Sequence, residues 1–147
     1  MKDFLYLKDD QIREFLELLH NAYKKTNSLP KNSVPDKTIG QAQIRALKKI
    51  EKKPGISFSE LMLELKVTKQ SLNRVLKDLI KLDIIVSKKD EIDTRIKHVY
   101  LNDKGKKIFE EIFLLQKKRI YNAFLGSNSK EVISFDNVLK KIINEKL

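Results

Sequence analysis

The chain is 147 residues long and 41% hydrophobic, enough for a single domain with a buried core. It has no cysteine, which excludes disulfides, thiol nucleophiles and thiolate metal sites. Its formal net charge of +11 suits a polyanionic partner, although a lysine-rich solvated surface would give the same total. Residues 45–107 hold 17 basic and 9 acidic side chains, and this concentration of the excess favours a basic functional face.

Neither a signal peptide nor a membrane span is predicted. Residues 1–10 contain three aspartates and too short an apolar stretch for a signal peptide, and no apolar run comes near the roughly 18 residues that cross a bilayer. His20 and His98 lack metal-ligand spacing and are interpreted as surface or packing residues. No phosphate-binding glycine loop or Ser/His/Asp arrangement is recognisable. We therefore expect a cytoplasmic protein that is not an enzyme and needs no metal or cofactor.

The first third of the chain predicts two helices. Apolar residues at helical spacing indicate an amphipathic helix over residues 9–25, and the prolines of residues 27–37 indicate a connecting loop. Thr38 and Gln41 have capping-box spacing and predict that a second helix starts there. Pro54-Gly55 ends this helix.

Two short helices with a tight joint follow. Ser57 and Glu60 have the spacing of another capping box, and the helix that they start is short. After a two-residue turn, Thr68 caps the next helix, which runs to about Leu82. Two short helices joined so closely are typical of a helix-turn-helix.

The second helix of this pair is predicted to have one apolar and one polar face. The polar face carries cations and amides with almost no acid: Lys69, Gln70, Asn73, Arg74, Lys77 and Lys81. The major groove of DNA admits a helix, where arginine or lysine pairs with guanine edges and asparagine or glutamine with adenine. Thr68 lies beside the N-terminal N–H groups, which suit a phosphate. A solvated helix face without a binding partner can also carry lysines. The short capped helix before this one favours the interpretation of the polar face as a DNA-binding surface.

The rest of the chain predicts a hairpin and two helices. Residues 84–86 and 97–101 are β-branched or alternating and suit two short strands, with residues 88–96 as a charged hairpin tip. An asparagine caps a long helix over residues 102–124, and a last helix begins at about Lys130. The fold class is therefore mostly α with a small β-hairpin wing.

The hairpin tip carries three candidate DNA contacts, Lys88, Lys89 and Arg95. Only five arginines occur in the chain, so one at this tip indicates a site that needs a planar fork or entry into a narrow minor groove. Asp93 can support the wing by holding Arg95 or a backbone amide of the turn. The alternative is a solvated turn with a local ion pair, which contributes little to stability.

Three stretches of this sequence resemble MarR-type transcriptional regulators: residues 68–79, Asp93-Thr94-Arg95, and residues 101–105 (Leu-Asn-Asp-Lys-Gly). The order of elements agrees with that family along nearly the whole chain. The resemblance implies a homodimer built from the first helix and the last two, with one recognition helix in each major-groove half-site. It also implies that Arg95 reaches the minor groove.

The sequence departs from that family at two positions where glycine is frequent. Lys66 stands in the turn between the paired helices, and Asp83 stands before the first wing strand. A left-handed backbone at either would cost on the order of 1 kcal/mol, less for aspartate than for lysine. Glu91 and Ile92 also make this wing less basic than in many relatives.

One domain with three parts is predicted: an N-terminal dimerisation helix over 1–34, a winged helix-turn-helix lobe over 38–101, and C-terminal dimerisation helices over 102–147. The outer parts hold more phenylalanine, leucine and isoleucine than a small winged core of about 65 residues can cover. This favours dimerisation, although the same residues could pack within one chain around that core.

The predicted function is sequence-specific binding of double-stranded DNA by a dimeric transcriptional repressor. The alternative is a winged-helix protein-interaction or architectural module with only non-specific affinity for DNA. The family resemblance also implies a small-molecule effector pocket, for which the candidates are Phe15, Leu19, Tyr23, Phe109 and Phe113. An aromatic stripe at helical spacing is also a common core feature, so both interpretations stand.

Overall fold

A computed structural model describes residues 8–29 and 39–146. These residues form six helices and a small three-stranded sheet, which confirms the predicted fold class. In chain order the elements are α1 (Asp9–Asn27), α2 (Gln41–Lys52), β1 (Ile56–Ser57), α3 (Phe58–Leu65), α4 (Lys69–Lys81), β2 (Ile85–Lys89), β3 (Lys97–Leu101), α5 (Asp103–Leu125) and α6 (Ser129–Asn144).

The chain divides into two compact units, each described separately here. The central lobe is Leu29–Phe113, and the terminal unit combines Met1–Ser28 with Leu114–Leu147. The lobe has a continuous apolar core to which α2, α3, α4, the sheet and the start of α5 contribute. Its fully buried large side chains are Ile44, Leu47, Ile50, Ile56, Leu61, Leu72, Leu79, Ile84, Val99 and Ile112.

The sheet is antiparallel, with the strand order β1-β3-β2. β1 is only two residues long and was not predicted, because so short a strand beside a capping box has no pattern of its own. Its Ile56 pairs with Val99 of β3, so the helix-turn-helix and the wing share one sheet. β2 pairs with β3 as far as Lys89 opposite Lys97.

Two predicted boundaries are wrong. Lys88 and Lys89 belong to β2 rather than to the hairpin tip, because the antiparallel pairing continues to Lys89. The second helix begins at Gln41 with Gly40 as its N-cap, and the N–H of Gly40 donates to Oε1 of Gln43 at 3.1 Å. Thr38, which was expected to cap this helix, lies outside the described residues.

Both positions that depart from the family's glycines have left-handed backbones. Lys66 ends α3 at φ 53° and ψ 46°, and Asp83 follows α4 at φ 56°. The left-handed turn at Lys66 lets the N–H of Val67 return to the carbonyl of Met62 at 3.3 Å. The chain therefore accepts an unfavourable conformation for a lysine in order to make the tight joint before α4.

The other predicted helix starts are confirmed. Ser57 and Glu60 cap α3 reciprocally, since Oγ of Ser57 accepts from the N–H of Glu60 at 3.2 Å and Oε2 of Glu60 accepts from the N–H of Ser57 at 3.0 Å. Asn102 caps α5 by accepting from the N–H of Gly105 at 2.8 Å. A Cβ at Gly105 would collide with the carbonyl oxygen of Ile84, so close packing of α5 against the start of the wing requires glycine here.

The terminal unit differs from the lobe in how little it buries. No described residue of α1 or α6 is buried. Arg119 of α5 donates to the carbonyl oxygens of Lys25, at 2.7 Å, and Ser28, and so holds the end of α1. Across the described ranges 8–29 and 39–146, no helix is both long and apolar enough to cross a membrane.

Candidate nucleic-acid interface

Helix α4 presents a polar face whose residues are all exposed. Its opposite face is anchored in the lobe by Leu72, Leu76 and Leu79. The residues predicted on this face from the sequence are all exposed: Thr68, Lys69, Gln70, Asn73, Arg74, Lys77 and Lys81. The apolar Ile80 is also exposed at its edge. The burial of one side of α4 therefore fixes the direction in which the other side points.

Polar contacts hold both ends of α4 in place. At its start, Oγ1 of Thr68 accepts from the N–H of Ser71 at 3.2 Å, so this hydroxyl serves as the predicted helix cap. Asp78 accepts from Nε2 of Gln43 in α2 at 3.1 Å. At the end, Nζ of Lys104 donates to the carbonyl of Leu82 at 2.9 Å, which places a cation at the negative end of the helix.

A groove joins α4 to the wing. A surface cavity of about 440 Å³ is lined by Lys69, Asn73, Arg95 and Lys97, together with residues at the start of α3. Residues predicted on two separate elements are thus brought to one basic groove. Lys97 was missed from the sequence. The sequence signal that could have indicated it is its position in the strand. Lys97 is the first residue of β3 and lies on the same face as the buried Val99 and Leu101.

The wing tip is a compact turn organised by two aspartates. Oδ2 of Asp90 accepts from the N–H groups of Ile92 and Asp93, at 3.0 and 2.9 Å. Asp93 accepts from the backbone N–H of Arg95 at 3.1 Å, and also from its guanidinium at 3.0 Å (Nε) and 2.9 Å (Nη2). Both contacts anticipated for Asp93 are therefore present, and they fix the direction of Arg95.

These contacts change the acid–base properties of the tip. The Arg95 guanidinium lowers the pKa of Asp93, and Asp93 in turn raises the pKa of Arg95. The pKa of Asp90 is lowered to about 2, first by the N–H of Asp93 and then by His98. Arg95 nevertheless remains accessible, since 89% of its side chain is exposed.

His98 is a second residue that sequence reasoning missed. Its Nδ1 lies 2.8 Å from the carbonyl oxygen of Gly55, and its Nε2 lies 2.8 Å from Oδ1 of Asp90. The side chain thus connects the wing tip to the loop before β1. The sequence had suggested only a surface or packing position for this histidine. The Gly55 contact spans 43 residues of sequence, so no local pattern could reveal it.

The two lysines of β2 lie apart from the tip. Nζ of Lys88 is 5.2 Å from the centroid of the Tyr100 ring, a distance typical of a cation–π contact. Lys89 is exposed at the end of the strand. Both remain on the wing, in its strand rather than in its turn.

The residues predicted to line an effector pocket fall into two groups. Phe15, Leu19 and Tyr23 are exposed on α1 of the terminal unit. Phe109 and Phe113 stack within the central lobe, with ring centroids 6.2 Å apart and planes inclined by 4°. Phe109 also lines a cavity of about 290 Å³ within the lobe.

Comparison with known proteins agrees with this geometry. The sequence model described as the MarR family matches residues 38–96. The HTH-type transcriptional regulator PetP of Rhodobacter capsulatus is 32% identical to this chain over 140 residues, which cover 95% of this chain and 84% of PetP.

Solved structures share the fold at lower sequence identity. FabT of Streptococcus pneumoniae, solved in complex with DNA, has a TM-score of 0.82 at 21% identity and covers 92% of this chain and 95% of its own. BpsR of Bordetella bronchiseptica has a TM-score of 0.68 at 20% identity, over 88% of this chain and 93% of its own. The match to the MarR-family model and the identity and coverage shared with PetP together establish the relationship: the chain belongs to the MarR family and is a transcriptional regulator rather than an enzyme.

Proposed function

We propose that this protein is a cytoplasmic, homodimeric repressor that binds specific double-stranded DNA sites and blocks a promoter. The observation that carries the proposal is the single groove in which the exposed face of α4 meets the wing arginine. That FabT was solved with DNA supports it, since FabT has the same fold.

In this proposal α4 enters the major groove. Gln70, Asn73 and Arg74 read base edges, because amides and guanidinium groups match the donor and acceptor patterns of adenine and guanine. Lys69 and Lys77 contact phosphates, and the capped start of α4 at Thr68 directs its positive dipole end to a phosphate.

The wing contacts the adjacent minor groove through Arg95. A guanidinium has five N–H donors, and Asp93 accepts from two of its nitrogens, which leaves donors for DNA while the side chain is held in direction. In this proposal Asp93 orients Arg95 and stabilises the wing turn. Lys88 and Lys89 add phosphate contacts from β2.

The dimer forms through the terminal unit. Its helices α1 and α6 expose many large apolar side chains, more than an isolated surface normally carries. They include Ile12, Phe15, Leu16, Leu19, Tyr23, Ile133, Phe135, Val138, Ile142 and Ile143. Pairing about a two-fold axis would present two α4 helices to half-sites about 34–36 Å apart.

A small-molecule effector is the second partner in this proposal. The regulation of BpsR by 6-hydroxynicotinic acid provides the precedent in a protein of the same fold. In the central lobe, the candidate contacts for such an effector are Phe109 and Phe113, since Phe109 lines a cavity of about 290 Å³. Phe15, Leu19 and Tyr23 on α1 remain candidates from the sequence alone.

Gel shifts of genomic fragments, with competitor DNA and a salt titration, test the function. A specific repressor retains selected fragments through an excess of competitor. A module with non-specific affinity alone, the alternative function, loses all fragments equally and shows only a steep dependence on salt.

Lys69→Ala should reduce the slope of log affinity against log salt by about 0.9 for the phosphate contact removed.

A further inference from the structure

The ring of His98 lies between two groups that only accept hydrogen bonds. The carbonyl oxygen of Gly55 faces Nδ1 and an oxygen of Asp90 faces Nε2, each at 2.8 Å. A neutral imidazole has one N–H and can satisfy only one of them, whichever tautomer it adopts. The imidazolium donates to both. The geometry therefore favours the doubly protonated form.

The two hydrogen-bond partners of this ring raise its pKa. Asp90 and then Gly55 raise the pKa of His98, partial burial lowers it, and the carboxylates of Asp90 and of Glu60 on α3 raise it further. Lys88 lies opposite His98 in the β2–β3 register, with its ammonium over the Tyr100 ring. Because the pKa of Asp90 is about 2, its carboxylate stays ionised over the range in which a histidine ring titrates, so the proton that the pair gains or loses there belongs to His98.

Asp90 links this ring to the DNA-contacting tip. The oxygen that does not face His98 accepts from the N–H groups of Ile92 and Asp93, and Asp93 holds the Arg95 guanidinium. A continuous set of hydrogen bonds thus runs from the Gly55 loop, through His98 and Asp90, to the wing arginine.

We propose that His98 is a positioning residue for the wing: its doubly protonated form ties the wing turn to the Gly55 loop, and loss of one proton loosens that turn. The consequence for DNA rests on the proposed contact of Arg95 with the minor groove. With a raised pKa, the tie is fully present below the ordinary histidine pKa of about 6.5 and is lost as the pH rises through the raised value.

Asp90→Asn provides a direct test, because it should make the neutral ring of His98 fit its two partners better than the doubly protonated ring. The side-chain oxygen of an asparagine can still accept from the turn amides, while its amide nitrogen donates to Nε2. A neutral His98 then donates from Nδ1 to Gly55 and accepts at Nε2, so both contacts are satisfied without the proton. If His98 served only in packing, the pH response of the turn would not change direction in this variant.

The experiment is an NMR titration of the full-length protein without DNA, from pH 6 to pH 8.5. It follows the His98 ring and the exchange protection of the Ile92 and Asp93 amides, corrected for intrinsic exchange. In the unmodified protein, protection should fall about two- to twelvefold as the pH rises, the range expected for one hydrogen bond. His98→Gln should abolish this response, and His20→Gln, the matched control on α1, should retain it.

Two results would overturn the inference: protection that stays constant with pH in the unmodified protein, or a response that persists in His98→Gln. Should His98→Gln fail to fold, as judged by circular dichroism, Asp90→Asn decides alone. Protection that rises with pH in Asp90→Asn supports the inference, and an unreversed response contradicts it. Fluorescence anisotropy of Arg95→Ala with DNA tests the proposed function separately, because wing protection is measured without DNA.

Discussion

Helix α4 and the wing present cations to the same groove, yet different forces hold them. Leu72, Leu76 and Leu79 anchor α4 in the apolar core, and its polar face is directed outward by that packing. The wing tip has an exposed Ile92 and is organised by carboxylates, backbone amides and the His98 ring. Apolar packing has no titratable group, whereas the polar turn contains His98 and two carboxylates, so the two halves of the interface should respond differently to a change of pH.

Removing the anchor of α4 should have the largest effect. Leu79 is fully buried, and Leu79→Ala should lower the free energy of unfolding by about 2–5 kcal/mol through lost burial and the cavity left behind. Urea denaturation followed by circular dichroism measures this loss.

Leu63→Ala on α3 is the matched control, because 74% of this leucine is exposed and the substitution should change stability by less than about 0.5 kcal/mol. Equal losses for both variants would show that α4 is not fixed by its buried side.

Removing a base-reading side chain should come next. Arg74→Ala should weaken binding to a selected DNA site by about 1–3 kcal/mol and reduce discrimination at the base pair that it contacts. Lys52→Ala removes one positive charge from the same lobe, outside the proposed contacts. If fluorescence anisotropy gives both variants the same loss, net charge rather than readout governs the affinity.

Removing the side chain at the left-handed position before α4 should change the free energy of unfolding by a smaller amount, and should increase it. Lys66→Gly should raise the free energy of unfolding by about 1 kcal/mol, because the left-handed backbone at Lys66 disfavours a side chain. Lys48→Gly, within helix α2, should lower it by about 1 kcal/mol. Thermal unfolding of the two variants measures both changes. A loss of stability in Lys66→Gly would show that the left-handed backbone at Lys66 does not destabilise the protein.

The wing should contribute least. Arg95→Ala should weaken specific DNA binding by about two- to fivefold, less than Arg74→Ala, because the partner is a minor groove whose pattern is degenerate. The fully exposed Ile92 at the same tip provides the control, since Ile92→Ala removes no donor. A larger loss for Arg95→Ala than for Arg74→Ala, measured on one DNA site, would reverse the ranking of the two regions.

The two regions also differ in how far the sequence could predict them. The limits and faces of α4 follow from local signals, a threonine cap and apolar residues at helical spacing, and the predicted limits agree with Lys69–Lys81. The fixed direction of Arg95 was predictable because Asp93 is two residues away.

The remaining wing contacts depend on distant partners. Gly55 lies 43 residues from His98, and β1 becomes a strand only because β3 lies beside it. Lys88 and Lys89 were predicted in the tip, but pairing with β3 keeps them in β2. Local chemistry therefore predicted Lys69, Asn73 and Arg95, which line the groove, but not Lys97. Tertiary pairing determines how the wing is held.

Recovery and sequencing of genomic fragments bound by the purified protein tests the central claim most directly. A dimeric, sequence-specific repressor should enrich a small set of promoter fragments that share an inverted repeat, with half-site centres about 10 base pairs apart. Arg74→Ala should reduce this enrichment while still retaining DNA at low salt. Uniform recovery of all fragments by the unmodified protein would contradict the claim and indicate non-specific affinity alone.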